Sequence, residues 1–187
     1  MKQVEIIDRS AELLTVGFFG ALPEVLAPHI AQPTGIPLIW TDPWQAVAEG
    51  GWQYSAAEHP GADWNYAEAI IDRSAADELW TLIESGQLAV AGTDALEALR
   101  IAAWRPRIAT EGDANALPHE FDWLRTAVHL NKGCYRGQET VAKVHNLGHP
   151  PRRLAFLSLD GVDVVVPEAG AVVLDGETEV GHITSAA

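Results

Sequence analysis

The sequence predicts an α+β protein: an α/β layer region with connecting helices, followed by a small antiparallel β-module, barrel-like or sandwich-like. Three observations carry this prediction. Before residue 90, short β-branched and aromatic runs alternate with two helical patterns, as in a split βαβ layer. From about Leu88 to His149 long apolar runs are scarce, so that stretch reads as helices and loops draped on other elements. Beyond Pro150-Pro151 only short apolar runs remain, separated by Gly161, Gly170 and Asp175-Gly176. The organisation is therefore an α/β region over 1–149 and a β-module over 150–187.

The elements follow in order. Val4 to Ile7 and Leu13 to Phe19 have strand composition. Pro23 to Ala31 reads as a short helix with proline at its start. Pro37 to Trp40 is a third strand. Thr41 to Asn65 is polar, holds Gly50-Gly51 and Pro60-Gly61, and reads as loop. Tyr66 to Asp72 alternates as a strand. Ser74 is placed to cap a helix through Leu79, Trp80 and Ile83 that stops at Gly86. Asp94 to Trp104 has an amphipathic period through Leu96, Leu99 and Ala103, broken by Arg100 and ended by Pro106. Arg107 to Pro118 reads as loop, His119 to Arg125 as a short helical turn, and Val141 to Val144 as helix. In the β-module the strands are Leu154 to Leu159, Val162 to Val166, Ala171 to Leu174 and Glu179 to Thr184, with Asp175-Gly176 as a hairpin signal. Four short strands are few to close a barrel.

The 187 residues are ordinary globular material, 48% hydrophobic and 20% charged. A single cysteine excludes an internal disulfide and any zinc site built of several cysteines. The longest mainly apolar stretch, Leu13 to Leu22, is too short to span a bilayer, and the first residues show no signal-peptide pattern. A soluble, cytoplasmic protein is expected. The formal net charge of −14 argues against general affinity for nucleic acid or anionic membrane. Residues 100 to 153, however, hold nine bases against five acids, a net of +4, and the remainder carries −18. Such segregation suits either a local site for an anionic ligand or a solvated surface.

The densest chemistry lies in Lys132-Gly133-Cys134-Tyr135-Arg136-Gly137-Gln138-Glu139. Gly133 and Gly137 permit φ > 0 and close approach of backbone to a ligand. Lys132, Arg136 and a nearby helix start each favour the thiolate of Cys134. Gln138 and Glu139 offer an amide and a carboxylate, suited to a ring with both donors and acceptors. The plainer reading is a glycine-rich turn whose cysteine is a small buried hydrophobe. Clustering of so many ionisable and polar groups in eight residues favours a site.

This octapeptide resembles the K-x-C-[FY]-x-G-Q-E signature of the YgfZ-type folate-binding proteins, relatives of the glycine-cleavage T-protein, an aminomethyltransferase. Leu96 to Ile101, Arg105-Pro106-Arg107, Pro118-His119-Glu120 and Val141 to Arg153 continue the resemblance, which is specific over about residues 94 to 155. It implies a ferredoxin-like layer domain interleaved with a second sheet-and-helix domain and followed by a C-terminal β-barrel, around a central folate site. Members are longer, so the sequence reads as lacking most of the first domain and the last barrel strand. The resemblance also implies tetrahydrofolate or a derivative as cofactor, and iron–sulfur client or assembly proteins as partners. Cys134 would be the functional thiol. Arg100, Lys132, Gly133, Tyr135, Gly137, Gln138 and Glu139 would contact the folate.

Other residues weigh less. His129, His145 and His149 match no zinc spacing and are expected at the surface. Trp64 and Trp104 could stack on a pterin, but core packing is the commoner use of a tryptophan. Arg100 reads equally as a snorkelling surface residue or a folate contact. Asp63 reads as a loop residue. Three functions compete: a folate-binding accessory protein for iron–sulfur enzymes, an aminomethyltransferase, and a non-catalytic interaction module. The transferase would need an aspartate from the first domain that this sequence does not visibly contain.

Overall fold

The computed structural model of the protein describes residues 4–54, 57–159 and 165–187. The chain divides into two compact units, one of Met1–Asp42 with Trp64–Ala91, the other of Pro43–Asp63 with Gly92–Ala187. It is mixed α and β, with small antiparallel sheets.

In the first unit, strands β1 (Leu13–Phe19), β2 (Ile39–Thr41) and β3 (Tyr66–Asp72) form one sheet in the order β1-β3-β2. Both outer strands are antiparallel to β3, so β1 and β2 run the same way with β3 between them. Alternation sets the buried face: Leu14, Val16 and Phe18 of β1 lie beside Ile71, Ala69 and Ala67 of β3. Ala69 and Ile71 join Leu26, Ile30, Ala75 and Leu79 in the core. The expected helix after Pro23 forms as a 3-10 segment, Glu24–His29, with Pro28 inside it. A proline there has no N–H to donate and its ring blocks an α-helical turn.

Helix α1 (Ala76–Glu84) ends as predicted, in a Schellman motif. Gly86 takes φ +74°, and the N–H groups of Gly86 and Gln87 donate to the carbonyls of Ile83 and Leu82. Its start differs from expectation. Ser74 sits in a preceding 3-10 turn, Arg73–Ala75, and no side chain caps the helix. The strand expected at Val4 to Ile7 does not form; Ile6 is 94% exposed. Strand propensity acts only where a partner edge is available, and the Asp8–Ser10 turn intervenes before β1.

In the second unit, α2 (Thr93–Ala102) follows the predicted period, and Trp104 leaves it at φ +53° just before buried Pro106. A single turn, α3 (Ile108–Glu111), occupies part of the expected loop. Two 3-10 turns, Pro118–Phe121 and Trp123–Arg125, form where a helical turn was predicted. Helix α4 (Gln138–Leu147) begins three residues before the predicted start. The loop 43–63 contributes to this unit's core: Trp44 is wholly buried and its indole N–H donates to the Ala103 carbonyl at 3.1 Å.

The C-terminal stretch contains one hairpin, β4 (Val172–Asp175) and β5 (Thr178–His182), turning through Gly176 at φ +63°. Among the described residues there is no closed barrel. Leu154 to Leu159 forms no strand, and Phe156, Leu157 and Leu159 are exposed. Most of the run expected at Val162 to Val166 lies outside the described residues. No helix is long and apolar enough to cross a membrane among the described residues.

Candidate functional site

The signature octapeptide forms the turn into α4. The Gln138 N–H donates to the Tyr135 carbonyl at 3.2 Å, and the Val141 N–H to the Gly137 carbonyl at 3.1 Å. Gly137, at φ +82°, occupies the N-cap position, and no side chain caps the helix. Gly133 behaves differently from expectation: it is not in the positive-φ region, and the space around its α-carbon is open. Only one of the two glycines is thus required by backbone conformation. Cys134 is a free, exposed thiol, not a buried hydrophobe. Lys132 Nζ lies 5.2 Å from the centre of the Tyr135 ring, a cation–π distance.

Beside this turn is a cleft of about 370 Å³. Its walls are apolar, including Leu117, Val128 and Val141, and His129, Lys132 and Arg136 line its polar side. Tyr135, Gly137 and Thr140 also face it, whereas Gly133, Cys134, Gln138 and Glu139 do not. Gln138, expected with Glu139 to address a ring, is half-buried, and Glu139 is exposed.

Arg100 lies elsewhere. It lines a second, wider hollow of about 920 Å³ together with Trp104, Phe121 and Phe156. It is only 4% exposed, so the snorkelling reading is corrected. Its guanidinium donates to Glu97 at 2.6 Å, to Glu111 at 3.2 Å and to Ser185 at 2.9 Å. Burial pushes the Glu111 carboxyl up. Hydrogen bonds from Ser185, Thr110 and the Arg107 N–H, with the Arg100 charge, outweigh that and hold it below the ordinary range. Arg107 pairs with Glu97 as well. All the polar ends of Arg100 that this network uses are thus directed at the protein itself.

Glu120, 5% exposed, is gripped in bidentate fashion by Arg152, at 3.2 and 2.9 Å, and Arg152 reaches Asp113 at 3.1 Å. This ties the segment after Pro150-Pro151 to the 3-10 turn. The neighbouring His119 is buried, and burial is the leading cause of its lowered pKa. His145 Nδ1 lies 3.2 Å from the Tyr54 hydroxyl, and its ring meets the edge of Trp52. No group of three or more potential metal ligands exists among the described residues. Trp64 is buried and donates to Asp42 at 2.8 Å, a core role.

A buried polar cluster escapes sequence reasoning. Arg125, 1% exposed, donates to the Trp44 carbonyl at 2.9 Å and to Gln53 at 2.6 Å. His59 stacks on Trp104 and meets the edge of Trp44. Asp122 stands between His59 and Arg125 with φ +57°. A usable signal was Asp122 itself, one of the few residue types that enter the left-handed region readily. Nothing in the sequence of loop 43–63 marks His59 or Trp44 as buried.

A chloroplastic protein of Arabidopsis thaliana provisionally designated a transferase is 32% identical to this chain over 121 residues. The match takes 62% of this chain and 26% of that relative, so the chain spans about a quarter of the relative's length. No family model matches the sequence. No solved structure matches it significantly. The chain is therefore similar to part of a transferase-like protein.

Proposed function

We propose that this chain is the folate-facing part of a tetrahydrofolate-binding accessory protein that supports assembly or repair of iron–sulfur enzymes, with Cys134 as its functional thiol. The observation that carries the reading is the exposed free thiol on a turn flanked by Lys132 and Arg136, neither of which has an acidic partner among the described residues. An exposed thiol is accessible to a client thiol or to iron. Lys132 and Arg136 fit a cofactor that carries carboxylates. Tetrahydrofolate, when bound, supplies a carrier for one-carbon units.

One cysteine per chain cannot hold a cluster alone, since clusters take about four protein ligands. Contact with iron or with a client thiol is therefore shared with a partner. The test joins three measurements: calorimetry with tetrahydrofolate, alkylation rate of Cys134 against pH, and activity of an iron–sulfur enzyme in cells carrying Cys134→Ser. Support requires folate binding, a fast-reacting thiol and lost client activity. An inert thiol with normal client activity defeats the proposal. The similarity to a transferase-like protein favours one second reading, folate-dependent aminomethyl transfer. Turnover of an aminomethyl donor with tetrahydrofolate, unaffected by Cys134→Ser, would select it.

A further inference from the structure

We infer that the cleft beside the signature turn is a binding site for a compact polyanion, a group bearing several carboxylates or a phosphate, recognised through Lys132, Arg136 and the open first turn of α4.

The argument begins with charge. The chain has 26 acids for 12 bases. Arg9, Arg100, Arg107, Arg125 and Arg152 each pair with a carboxylate. Among the described residues no ion pair reaches Arg73, Lys132, Arg136, Lys143 or Arg153, and of these five only Lys132 and Arg136 line the cleft. His129 stands on that wall too, and no acidic side chain lines it. Two cations without carboxylate partners, one of them resting on the Tyr135 ring, face one concavity and create a local positive field that attracts an anion.

The backbone adds donors at the same place. Gly137 and Thr140 line the cleft at the start of the ten-residue α4. The N–H groups of Glu139 and Thr140 have no acceptor among the described residues, and no side chain caps this end. The positive end of the helix dipole thus reinforces the field of the side chains. Leu117, Val128 and Val141 form an apolar part of the same wall.

Size narrows the ligand class. At about 370 Å³ the cleft is near the lower end of small-molecule sites. It accommodates an anionic arm or a small polyanion. Gln138 and Glu139, the residues suited to a ring, lie outside it. The inference goes beyond the folate reading and does not need it: a glutamyl chain and a free phosphate share the required chemistry.

The test is calorimetry on the whole chain with two probes, triglutamate peptide and inorganic phosphate. Binding of either supports the site and identifies the source of the anion. Lys132→Gln and Arg136→Gln should each weaken binding by about tenfold, as expected for loss of one charge-assisted contact. Lys143→Gln, an exposed cation that does not line the cleft, should leave it unchanged. Should Arg136→Gln lower the melting temperature, Arg136→Lys keeps the charge and should recover most of the affinity. Absence of binding by both probes overturns the inference. So does equal weakening by Lys143→Gln, which would mark diffuse attraction to a basic surface. Triglutamate binding without tetrahydrofolate binding would leave this site standing and defeat the folate proposal.

Discussion

His59 Nε2 lies 3.2 Å from Asp122 Oδ2, inside a pocket that also holds the Arg125 guanidinium, whose Nε is 4.0 Å from the same oxygen. The Gly61 N–H donates to His59 Nδ1 at 3.0 Å, so the neutral ring carries its proton on Nε2, which is buried and makes no aligned hydrogen bond to Asp122. Burial, with the Arg125 charge second, pushes the His59 pKa down to about 4. Burial also pushes Asp122 up to about 6, against the pull of Arg125. The two groups therefore respond to acid in opposite senses.

The pH dependence follows from those signs. Asp122, raised in the fold, contributes most below its ordinary value of 3.8, and the contribution is lost as pH rises through about 6. His59, depressed in the fold, contributes most above its ordinary 6.5, and this is lost as pH falls towards about 4. In the native protein the two largely cancel between pH 4 and 6. Single variants should separate them. Relative to wild type, Asp122→Asn should gain stability as pH rises from 4 to 6, whereas His59→Gln should gain as pH falls from 6.5 to 4. Each change should be at most about 3 kcal/mol. Urea denaturation at a series of pH values reads both; parallel curves for all three proteins would refute the opposed titrations.

Gly61 should prove intolerant of a methyl group. A Cβ there would stand 2.5 Å from Trp44 Cδ1 and Nε1 and 3.0 Å from His59 Nδ1. Trp44 is wholly buried, held by its bond to Ala103 and flanked by Arg105 and Arg125 at 5.0 and 5.2 Å from its ring. Gly61→Ala is expected to cost about 1–3 kcal/mol through overpacking, measured as a lower denaturation midpoint.

The Arg100 network predicts a large structural effect. Arg100→Met would leave Glu111, whose side chain is 3% exposed, without its cationic partner. Breaking such a buried pair costs about 3–5 kcal/mol, whereas removing both charges costs much less. The double variant Arg100→Met with Glu111→Leu should therefore recover much of the loss, although Ser185 and Thr110 would then lack their acceptor. Denaturation midpoints of the single and double variants decide it. A double variant no better than Arg100→Met would show that the pair contributes little.

Local patterns were legible where the chain's own periodicity decides structure. β1, β3 and α1 follow from alternation and from the helix stop at Gly86. Asp175-Gly176 gave the hairpin. Legibility failed where structure depends on a distant partner. Val4 to Ile7 and Leu154 to Leu159 have strand composition, yet among the described residues neither forms a strand. Thr41 to Asn65 reads as loop because it is polar and holds Gly50-Gly51 and Pro60-Gly61. Only the fold brings its Trp44 against Ala103 and its His59 against Asp122. At the candidate site, the turn and its cations were visible as spacing. The division between residues inside the cleft and outside it was not, because it depends on how Gly137 turns into α4.

That turn supplies the final prediction. Gly133 and Gly137 look equivalent in sequence, but only Gly137 occupies the left-handed region, at φ +82°. Neither has a neighbour within 4 Å of an added Cβ, so sterics with other residues do not separate them. Backbone conformation does. Gly137→Ala forces a Cβ-bearing residue into αL and should cost about 1–2 kcal/mol. Alternatively, the first turn of α4 relaxes to avoid that cost, moving the Glu139 and Thr140 N–H groups away from the cleft. Gly133→Ala should stay within about 0.5 kcal/mol of wild type. Melting temperature and triglutamate affinity together distinguish the two outcomes for Gly137→Ala: strain lowers the first, relaxation lowers the second. Equal behaviour of the two alanine variants in both measurements would show that the turn does not depend on a left-handed residue at position 137.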